Sequence, residues 1–327
     1  MKLRHKILIT NSIIRAKLFN IKIPIVISWL ITRKCNQMCK YCNNQKVTTS
    51  EDLNTEQIFF IIERLAKIGT KVIVFTGGEP LLREDIGKIV DYCVEKDMIT
   101  GINSSGSLVQ DKIAELVNLS VLNLSLDGPE EVNDAIRGAG SFKAVINAID
   151  AAYSKGIKIK FLTVLTKFNL DFKCIDYLIK IAKELNTTVT FQPATHLLLR
   201  GKGINPVAPP QKQYKRVINY LISQKNKYIG NSLSGLKYLN NWPNPKKIKC
   251  AGALIYRRID NQGDVMICGR MQNPWKGKNC LNMDFNEAFL KTTPVYCDSC
   301  WCASRVEMNY LFSFKPDVLF NMKKLIW

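Results

Sequence analysis

Histidine is almost absent from this chain of 327 residues, which contains only His5 and His196. A zinc site would therefore depend on cysteine, because cysteine and histidine are the usual protein ligands of zinc. The sequence also has no uninterrupted apolar run of about 18 residues, so we predict no transmembrane helix. A cleavable signal sequence of the usual form is missing as well. We therefore expect a cytoplasmic protein, in which thiols stay reduced.

Acidic side chains are few, with 27 Asp and Glu against 47 Lys and Arg and a net charge of +20. Such a surface favours anionic partners, among them nucleic acid, acidic lipid and carboxylated substrates, although a solvated Lys-rich surface is equally compatible. Recognisable base-stacking motifs are lacking, so we expect no nucleic-acid partner. Residues 1–20 form a basic amphipathic segment that predicts a helix. It either caps the domain or makes a peripheral contact with a membrane.

Cysteine, in contrast, is frequent, with 11 residues in the chain. Cys93 and Cys174 lie in helix-like patterns and are interpreted as core residues. One group near the start contains Cys35, Cys39 and Cys42. The other group lies near the end and contains Cys250, Cys268, Cys280, Cys297, Cys300 and Cys302. Clustered thiols in a reducing compartment indicate metal binding or catalysis rather than disulfides.

Continuous apolar strands alternate with amphipathic helices from residue 25 to residue 193. The strands are predicted at 25–31, 71–80, 99–106, 120–128, 157–166 and 187–193, and Ser141 is predicted to cap the helix over 141–156. This alternation predicts parallel βα units. We therefore predict an α/β protein, with a partial (β/α)6 TIM barrel over residues 21–226. Residues 227–327 are predicted to form a small cysteine-rich domain that binds a cofactor.

Cys35, Cys39 and Cys42 are spaced C-x3-C-x2-C directly after the first predicted strand. A tetrahedral metal site and a cubane iron–sulfur cluster each take four ligands. Three thiolates would hold three irons of a [4Fe–4S] cluster and leave the fourth iron open, as catalytic metal sites keep one position free. The alternatives are a zinc site completed elsewhere in the fold, or two ligands and a bystander.

This spacing resembles the cysteine loop of the radical S-adenosylmethionine (SAM) superfamily, and Tyr41 matches the aromatic residue before the family's third cysteine. The second strand runs into Gly77, Gly78, Glu79 and Pro80, which resembles the family's GGEP motif. Glycine lets a backbone approach a ligand closely, and a carboxylate pairs with an amino group. The resemblance implies that Tyr41 packs against adenine, that Glu79 binds the amino group of SAM, and that SAM completes the open iron.

Two later segments continue the resemblance. Asn103 and Ser105 lie in a stretch similar to the family's NTNG segment. Ser125 and Arg137 lie in a stretch similar to SLDG…IRG…GSF, which is typical of members with a C-terminal auxiliary-cluster domain. The resemblance implies that these residues bind SAM, with Ser125 and Arg137 reaching its ribose or carboxylate. An ordinary turn at 127–129 is the alternative. Asn133 stands where family members often have histidine.

The cysteines near the end resemble the SPASM and twitch auxiliary domains. Cys250 and Cys268 flank a predicted hairpin with its turn at 261–264, and a C-x2-C pair follows at 297–300. The resemblance implies one auxiliary [4Fe–4S] cluster, with its ligands among Cys250, Cys268, Cys297, Cys300 and Cys302. Cys280 competes as a ligand, and a zinc knuckle is the alternative. Gly269 stands where sulfatase-maturating relatives place Asp, which argues against that activity.

The resemblance implies an enzyme that cleaves SAM reductively and abstracts hydrogen from a substrate with the resulting 5′-deoxyadenosyl radical. We expect an oxidation, cross-link or maturation reaction on a peptide or a small biosynthetic intermediate, with flavodoxin or ferredoxin as electron donor. One alternative is a membrane-proximal enzyme that modifies lipids or tetrapyrroles. An alternative of another class is a non-catalytic metal- or RNA-binding protein.

Overall fold

The computed structural model describes residues 3–42, 51–195, 205–244, 246–268, 278–290 and 300–320. The strands within these ranges are β1 Val26–Thr32, β2 Val72–Gly77, β3 Ile99–Ser104, β4 Val121–Ser125, β5 Lys158–Leu165, β6 Val189–Pro193, β7 Tyr256–Ile259, β8 Asp264–Met266 and β9 Lys278–Asn279. The helices are α1 Leu3–Leu18, α2 Thr55–Lys67, α3 Ile86–Glu95, α4 Val109–Lys112, α5 Glu130–Arg137, α6 Ser141–Ser154, α7 Phe172–Glu184, α8 Gln211–Gln224, α9 Leu233–Leu239, α10 Gly252–Ile255, α11 Phe285–Leu290, α12 Ala303–Phe312 and α13 Pro316–Phe320.

One sheet contains all of these strands, in the order β6-β5-β4-β3-β2-β1-β7-β8-β9. Strands β1 to β6 are parallel to their neighbours, which confirms the predicted α/β fold with a partial barrel that does not close. Because the strands are parallel, their carboxyl ends and the loops that follow them meet at one edge. We call this edge the mouth of the sheet.

The predicted hairpin is present as β7 and β8, with Arg258 opposite Met266. Strand β7 also pairs with β1 in parallel, so that Val26 lies beside Tyr256. The cysteine-rich part of the chain therefore extends the sheet of the barrel at its β1 side. The predicted domain boundary between residues 226 and 227 stays a prediction.

The convex face of the sheet is apolar and covered by helices. Every second residue of each strand points to this face. Examples are Trp29, Phe75, Leu122 and Phe161, which are fully buried, and α2, α3, α6 and α7 pack over them. The residues between them point to the concave face, where Ser28 and Val74 are half buried, whereas Val26, Leu30 and Val72 are buried. The alternation produces one dry face and one face that solvent reaches.

Helix α1 closes the concave side at the amino ends of the strands. Ile9, Ile13 and Ala16 are buried there against Val26 and Val72, together with residues of α12. This is the capping position that the sequence predicted as one of two alternatives for residues 1–20. Across the described part of the chain, no helix is both long enough and apolar enough to cross a bilayer.

The start of α6 differs from the prediction. The N-cap residue is Gly140, with a φ of +76°, and Ser141 is the first residue of the helix. The capping acceptor is Asp134 of α5, which accepts hydrogen bonds from the backbone N–H of Gly140 (2.7 Å) and of Phe142 (2.8 Å). The prediction of Ser141 as the cap was wrong because the side chain of Asp134, in a helix that was not predicted, supplies the capping acceptor.

Candidate functional site

The cysteine loop begins directly after β1. Cys35 and Cys39 are half buried and Cys42 is exposed, and all three are free thiols. The Cys42 N–H donates to the Cys39 carbonyl (3.0 Å), which folds the loop into a turn. Burial raises the pKa of the Cys39 thiol to about 11, although the nearby Arg137 guanidinium acts against this effect. The charge of Cys42 contributes to the raised pKa of Cys35 and of Cys39, so the three thiols lie close enough for their charges to interact.

These thiols fit an iron–sulfur cluster better than a single metal ion. Among the residues that the structure describes, no three Cys, His, Asp or Glu side chains are grouped tightly enough to hold one ion. One zinc ion requires sulfur atoms that converge to about 2.3 Å from a common centre. A cubane instead binds each thiolate through a different iron, so its ligands stay apart. Neighbouring but separate thiols are therefore the arrangement that a [4Fe–4S] cluster requires.

The GGEP loop rests on the cysteine loop. The Gly78 N–H donates to the Thr32 carbonyl (2.9 Å), and the Glu79 N–H donates to the Lys34 carbonyl (2.8 Å). A Cβ atom would lie 2.1 Å from the Thr32 carbonyl oxygen at Gly77, and 2.0 Å from that of Lys34 at Gly78. The sequence-based reason for these glycines was a close approach to a ligand. The structure adds a second reason, since both glycines let this segment lie against the backbone that follows β1, and the approach to a ligand stays a prediction.

Glu79 is buried at the mouth with only 1% of its surface exposed. Its Oε2 accepts hydrogen bonds from the backbone N–H and the hydroxyl of Ser105, both at 2.8 Å, and its Oε1 accepts one from the Leu81 N–H (3.2 Å). Burial raises the pKa of this carboxyl, and the hydrogen bonds from Ser105 act against the rise. Ser105 thus connects the ends of β2 and β3. That Glu79 binds the amino group of SAM stays a prediction.

Arg137 fastens the cysteine loop to α5. Its Nε lies 2.7 Å from Oδ2 of the buried Asp127, and its Nη1 lies 3.9 Å from the Cys39 sulfur. Its Nη2 donates to the Tyr41 hydroxyl, and the guanidinium stands over the Tyr41 ring. In this structure the guanidinium is thus directed at the cysteine loop and at Asp127. The expectations that Arg137 reaches the ribose or carboxylate of SAM, and that Tyr41 packs on adenine, stay predictions.

Asn103 and Ser125 lie on the concave face near the ends of β3 and β4, and both are half buried. Asn103 accepts a hydrogen bond from the Asn123 amide (2.9 Å) across the strand pair. Asn133, at the position where the family often has histidine, has a structural contact instead. Its Oδ1 accepts from the Asp127 N–H (2.9 Å), and its amide donates to the Ser141 hydroxyl (2.8 Å).

The later cysteines gather around Arg305. Cys268, Cys300 and Cys302 are close enough to raise its pKa through their charge, although burial lowers it. The Arg305 Nη2 donates to the Ile267 carbonyl (2.9 Å), beside Cys268. Cys250 accepts a hydrogen bond from the Gly252 N–H at the start of α10 (3.3 Å). The expected auxiliary ligands with described positions are therefore half buried in one region, and the ligand set stays a prediction.

Cys297 and Cys280 are the remaining members of this later group. Cys297 lies outside the described residues. Cys280 is 1% exposed beside the β7–β8 turn, and burial raises its pKa to about 12. Its surroundings are those of a core thiol rather than of a ligand near Arg305.

Lys160 is a candidate that the sequence analysis missed. It lies on the concave face of β5, directly beside Asn123 of β4. Burial and the neighbouring Lys158 lower its pKa to about 8. Perturbed lysines of this kind concentrate at functional sites. The available signal was the strand KIKFLTVL, in which Lys160 shares the side of Leu162 rather than that of the fully buried Phe161.

Comparison with known proteins supports the resemblance. Residues 29–173 match the protein family described as the Radical SAM superfamily. Fe-coproporphyrin III synthase of Methanosarcina barkeri is 34% identical over 189 residues, which are 56% of this chain and 46% of that protein. The mycofactocin maturase of Mycolicibacterium smegmatis is 27% identical over 259 residues, which are 75% of this chain and 64% of that protein.

The crystal structure of Streptococcus suis SuiB bound to precursor peptide SuiA has the same fold. Its TM-score is 0.67 at 18% identity, and the match covers 88% of this chain and 69% of SuiB. This chain spans roughly half to two thirds of the length of the two curated relatives. The radical SAM family uses a [4Fe–4S] cluster and SAM, and the cysteine loop, the GGEP loop and the carboxyl ends of β1 to β5 lie inside the matched residues. This chain therefore contains a radical SAM domain of that superfamily.

Proposed function

We propose that the protein is a radical SAM enzyme that oxidises or cross-links its substrate with the help of an auxiliary iron–sulfur cluster. The observation that carries this proposal is the joining of three elements, the cysteine loop, the GGEP loop and α5, at one edge of the sheet. The Glu79 N–H donates a hydrogen bond to the Lys34 carbonyl (2.8 Å), which joins the GGEP loop to the cysteine loop. Arg137 of α5 contacts the cysteine loop at the Cys39 sulfur. The radical SAM match covers all of these residues.

The residues of the mouth have separable tasks in this proposal. Cys35, Cys39 and Cys42 would hold the first cluster, which supplies the electron that cleaves SAM into methionine and a hydrogen-abstracting 5′-deoxyadenosyl radical. Glu79 would offer a buried carboxylate to the amino group of SAM, because burial strengthens its attraction to a cation. Arg137 keeps the loop in register through Asp127, and its fixed charge lies 3.9 Å from the Cys39 sulfur.

The second cluster is proposed for the region around Arg305. The described candidates for its ligands are Cys250, Cys268, Cys300 and Cys302. Gln192 connects this region to the barrel, since its Oε1 at the end of β6 accepts a hydrogen bond from the Ala303 N–H (3.2 Å). A cluster in this region would accept the electron that the substrate radical loses when it is oxidised.

The proposed substrate is a peptide or a small biosynthetic intermediate. A peptide is favoured because SuiB, whose fold matches 88% of this chain, binds a precursor peptide. The similarity to the mycofactocin maturase, which covers 75% of this chain, favours a maturation reaction. A tetrapyrrole is the second candidate, because Fe-coproporphyrin III synthase is 34% identical over more than half of this chain. Flavodoxin or ferredoxin is proposed as the electron donor.

The test is an anaerobic reconstitution followed by an assay for 5′-deoxyadenosine with dithionite and SAM. About eight irons per chain and formation of deoxyadenosine would support both clusters, because each cubane contains four irons. About four irons with deoxyadenosine would keep the enzyme and remove the auxiliary cluster. Bound zinc without any deoxyadenosine would refute the proposed function and favour a non-catalytic metal protein.

A further inference from the structure

Helix α1 is apolar on two opposite sides. One side is the buried stripe described above, which contains Ile9, Ile13 and Ala16. Successive residues of an α-helix are turned by about 100°, so Ile7, Ile14 and Leu18 form a second stripe on the opposite side. We call this second stripe the outer face of α1. A helix that packs on a protein core needs only one apolar stripe, so the outer face requires an explanation of its own.

The outer face is open to solvent. Ile7 is 60% exposed and Leu18 is 68% exposed, and Ile14 between them is also exposed. Phe19 follows Leu18 directly at the end of the helix and is 68% exposed as well. Single apolar residues are common on protein surfaces, but a contiguous apolar surface marks a contact with a protein or a membrane.

Cations flank the outer face on both sides, and α1 contains no Asp or Glu residue. Arg15 lies on one side of Leu18 and Lys17 on the other, and both cations are exposed. The Lys17 Nζ stands 3.8 Å from the centre of the Phe314 ring. Phe314 is itself exposed and adds apolar surface at the turn between α12 and α13. The surface around α1 thus combines apolar side chains with positive charge.

This combination fits the surface of a bilayer that contains anionic lipids. An interfacial helix buries its apolar side at the boundary of headgroups and acyl chains, and the Lys and Arg residues beside it attract anionic headgroups. The net charge of +20 adds a longer-range attraction. A second copy of this chain fits less well, because a symmetric contact through α1 would bring Arg15 and Lys17 close to the same cations of the other copy.

The position of α1 leaves the mouth of the sheet free. Helix α1 packs against Val26 and Val72, at the amino ends of β1 and β2. The cysteine loop and the GGEP loop instead follow the carboxyl ends of the same two strands. A contact through the outer face therefore places a bilayer at the opposite end of the sheet from these loops.

We propose that α1 is an interfacial helix, which binds the protein to the surface of an anionic bilayer through its outer face. Its buried stripe caps the barrel at the same time. The two alternatives predicted for residues 1–20 then describe opposite sides of one helix. The contact is peripheral, because no helix in the described part of the chain is long and apolar enough to cross a bilayer. This inference goes beyond the proposed function and does not depend on it.

The experiment measures co-sedimentation of the reconstituted protein with vesicles. One set of vesicles contains phosphatidylcholine alone, and the other contains phosphatidylcholine and phosphatidylglycerol in equal parts. At low ionic strength we expect at least ten-fold tighter binding to the anionic vesicles. Binding should weaken in about 1 M salt, where the Debye length falls to about 3 Å. Failure to bind the anionic vesicles, or equal binding to both sets, would overturn the proposal.

Two variants test the apolar part of the contact. Leu18→Gln and Phe19→Gln should each weaken binding to the anionic vesicles at least ten-fold, because each removes an apolar side chain that enters the bilayer surface. Phe60→Gln is the matched control. Phe60 of α2 is 44% exposed and also lies beside a cation, with the Arg64 guanidinium 4.6 Å from its ring centre. An equal loss of binding in Phe60→Gln would contradict the proposal.

A third variant tests the charge. Arg15→Gln should weaken binding about five-fold, because one cation near an anionic bilayer contributes about 1 kcal/mol. Lys143→Gln is the matched control, since Lys143 is exposed at the start of α6, the helix that leads back from the mouth to β5. Arg4 is less suited to this comparison because it already pairs with Asp97 (3.3 Å). An equal loss in Lys143→Gln would show a general charge effect and would contradict the proposal.

Two further measurements separate the remaining outcomes. Light scattering without lipid reports the oligomeric state, and a wild-type dimer that Leu18→Gln converts to a monomer would assign the outer face to a second copy and overturn the proposal. Deoxyadenosine formation by the vesicle-bound protein tests the proposed function separately. Vesicle binding through Leu18 without deoxyadenosine would refute the enzyme but support the membrane contact, whereas deoxyadenosine without vesicle binding would overturn only the membrane contact.

Discussion

Asn261 in the β7–β8 turn holds the base of the cysteine loop, and its replacement offers the sharpest test of the structure. Thr32 and Asp52 stand on either side of the stretch that carries the three cysteines, and the Thr32 hydroxyl donates to Asp52 Oδ2 (2.6 Å). Asn261 is fully buried, and its side-chain amide donates to Asp52 Oδ1 (2.9 Å). Its backbone carbonyl accepts a hydrogen bond from the Leu53 N–H (2.9 Å). The cysteine-rich part thus clamps the loop of the barrel.

Asn261→Ala removes the side-chain half of this clamp. A hydrogen bond to a charged group contributes about 1.5–3 kcal/mol, so we expect the free energy of unfolding to fall by about 2 kcal/mol. Thermal unfolding followed by circular dichroism should show a decrease in Tm, by about 2–4 °C per kcal/mol in a domain of this size class. Amide hydrogen exchange in a peptide covering residues 33–42 should accelerate, because the loop base loses its tether.

Asn279→Ala is the matched control. Asn279 of β9 donates to the Gln262 carbonyl (2.8 Å) and to Asp264 Oδ1 (3.0 Å), so these hydrogen bonds join β9 to the same hairpin and do not reach the cysteine loop. This variant should leave exchange of residues 33–42 at the wild-type rate. Equal acceleration in the two variants would mean that general weakening of the hairpin causes the effect. Unchanged exchange in Asn261→Ala would refute the clamp.

Three further predictions concern charges and thiols. Arg137→Met should destabilise the protein by about 3–5 kcal/mol in urea unfolding, because it leaves the buried Asp127 charge without its partner; a loss below about 1 kcal/mol would contradict the ion pair. Cys39→Ala should abolish deoxyadenosine formation, whereas Cys268→Ala should retain part of it but stop substrate turnover; equal SAM cleavage in wild type and Cys39→Ala would refute the cluster assignment. Burial raises the pKa of Glu307 to about 7, above its value of about 4.5 in the unfolded chain. Between these pH values the folded state binds a proton that the unfolded state has lost. The free energy of unfolding therefore falls as the pH rises from about 4.5 to about 7. The loss should reach about 3 kcal/mol above pH 7 and be absent in Glu307→Gln, as measured by urea unfolding at pH 5 and pH 8; the same pH dependence in both proteins would contradict it.

The strands and the mouth of the sheet were predictable because local pattern determines them. Buried apolar residues such as Trp29 and Phe75 lie next to half-buried residues in their strands. The loops that follow parallel strands meet at one edge of the sheet, whichever residues they contain. The cysteine spacing and the GGEP segment were legible for the same reason, since each is a short contiguous motif. The fold class followed from the strand pattern, and the cofactor class followed from the resemblance of these motifs to the radical SAM superfamily.

Contacts between distant segments were not predictable in this way. Gly77 and Gly78 leave room for the backbone of a segment more than forty residues earlier. Arg137 pairs with Asp127, ten residues earlier, and contacts the cysteine loop, which lies much earlier in the sequence. Lys160 looked like a surface residue because lysine usually is one. The pairing of β7 with β1 left no local signal, since any edge strand can accept a neighbour.

That pairing has a consequence for how the protein is made. Strand β1 is synthesised long before its outer partner β7, so Val26 cannot pair with Tyr256 until most of the intervening chain has been made. Until then the outer edge of β1 presents unpaired N–H and C=O groups, which are a template for association with other chains. We therefore expect the nascent protein to be prone to aggregation during this interval. Expression at lower temperature together with a chaperone should raise the soluble yield of the full chain, and a fragment that ends before β7 should aggregate.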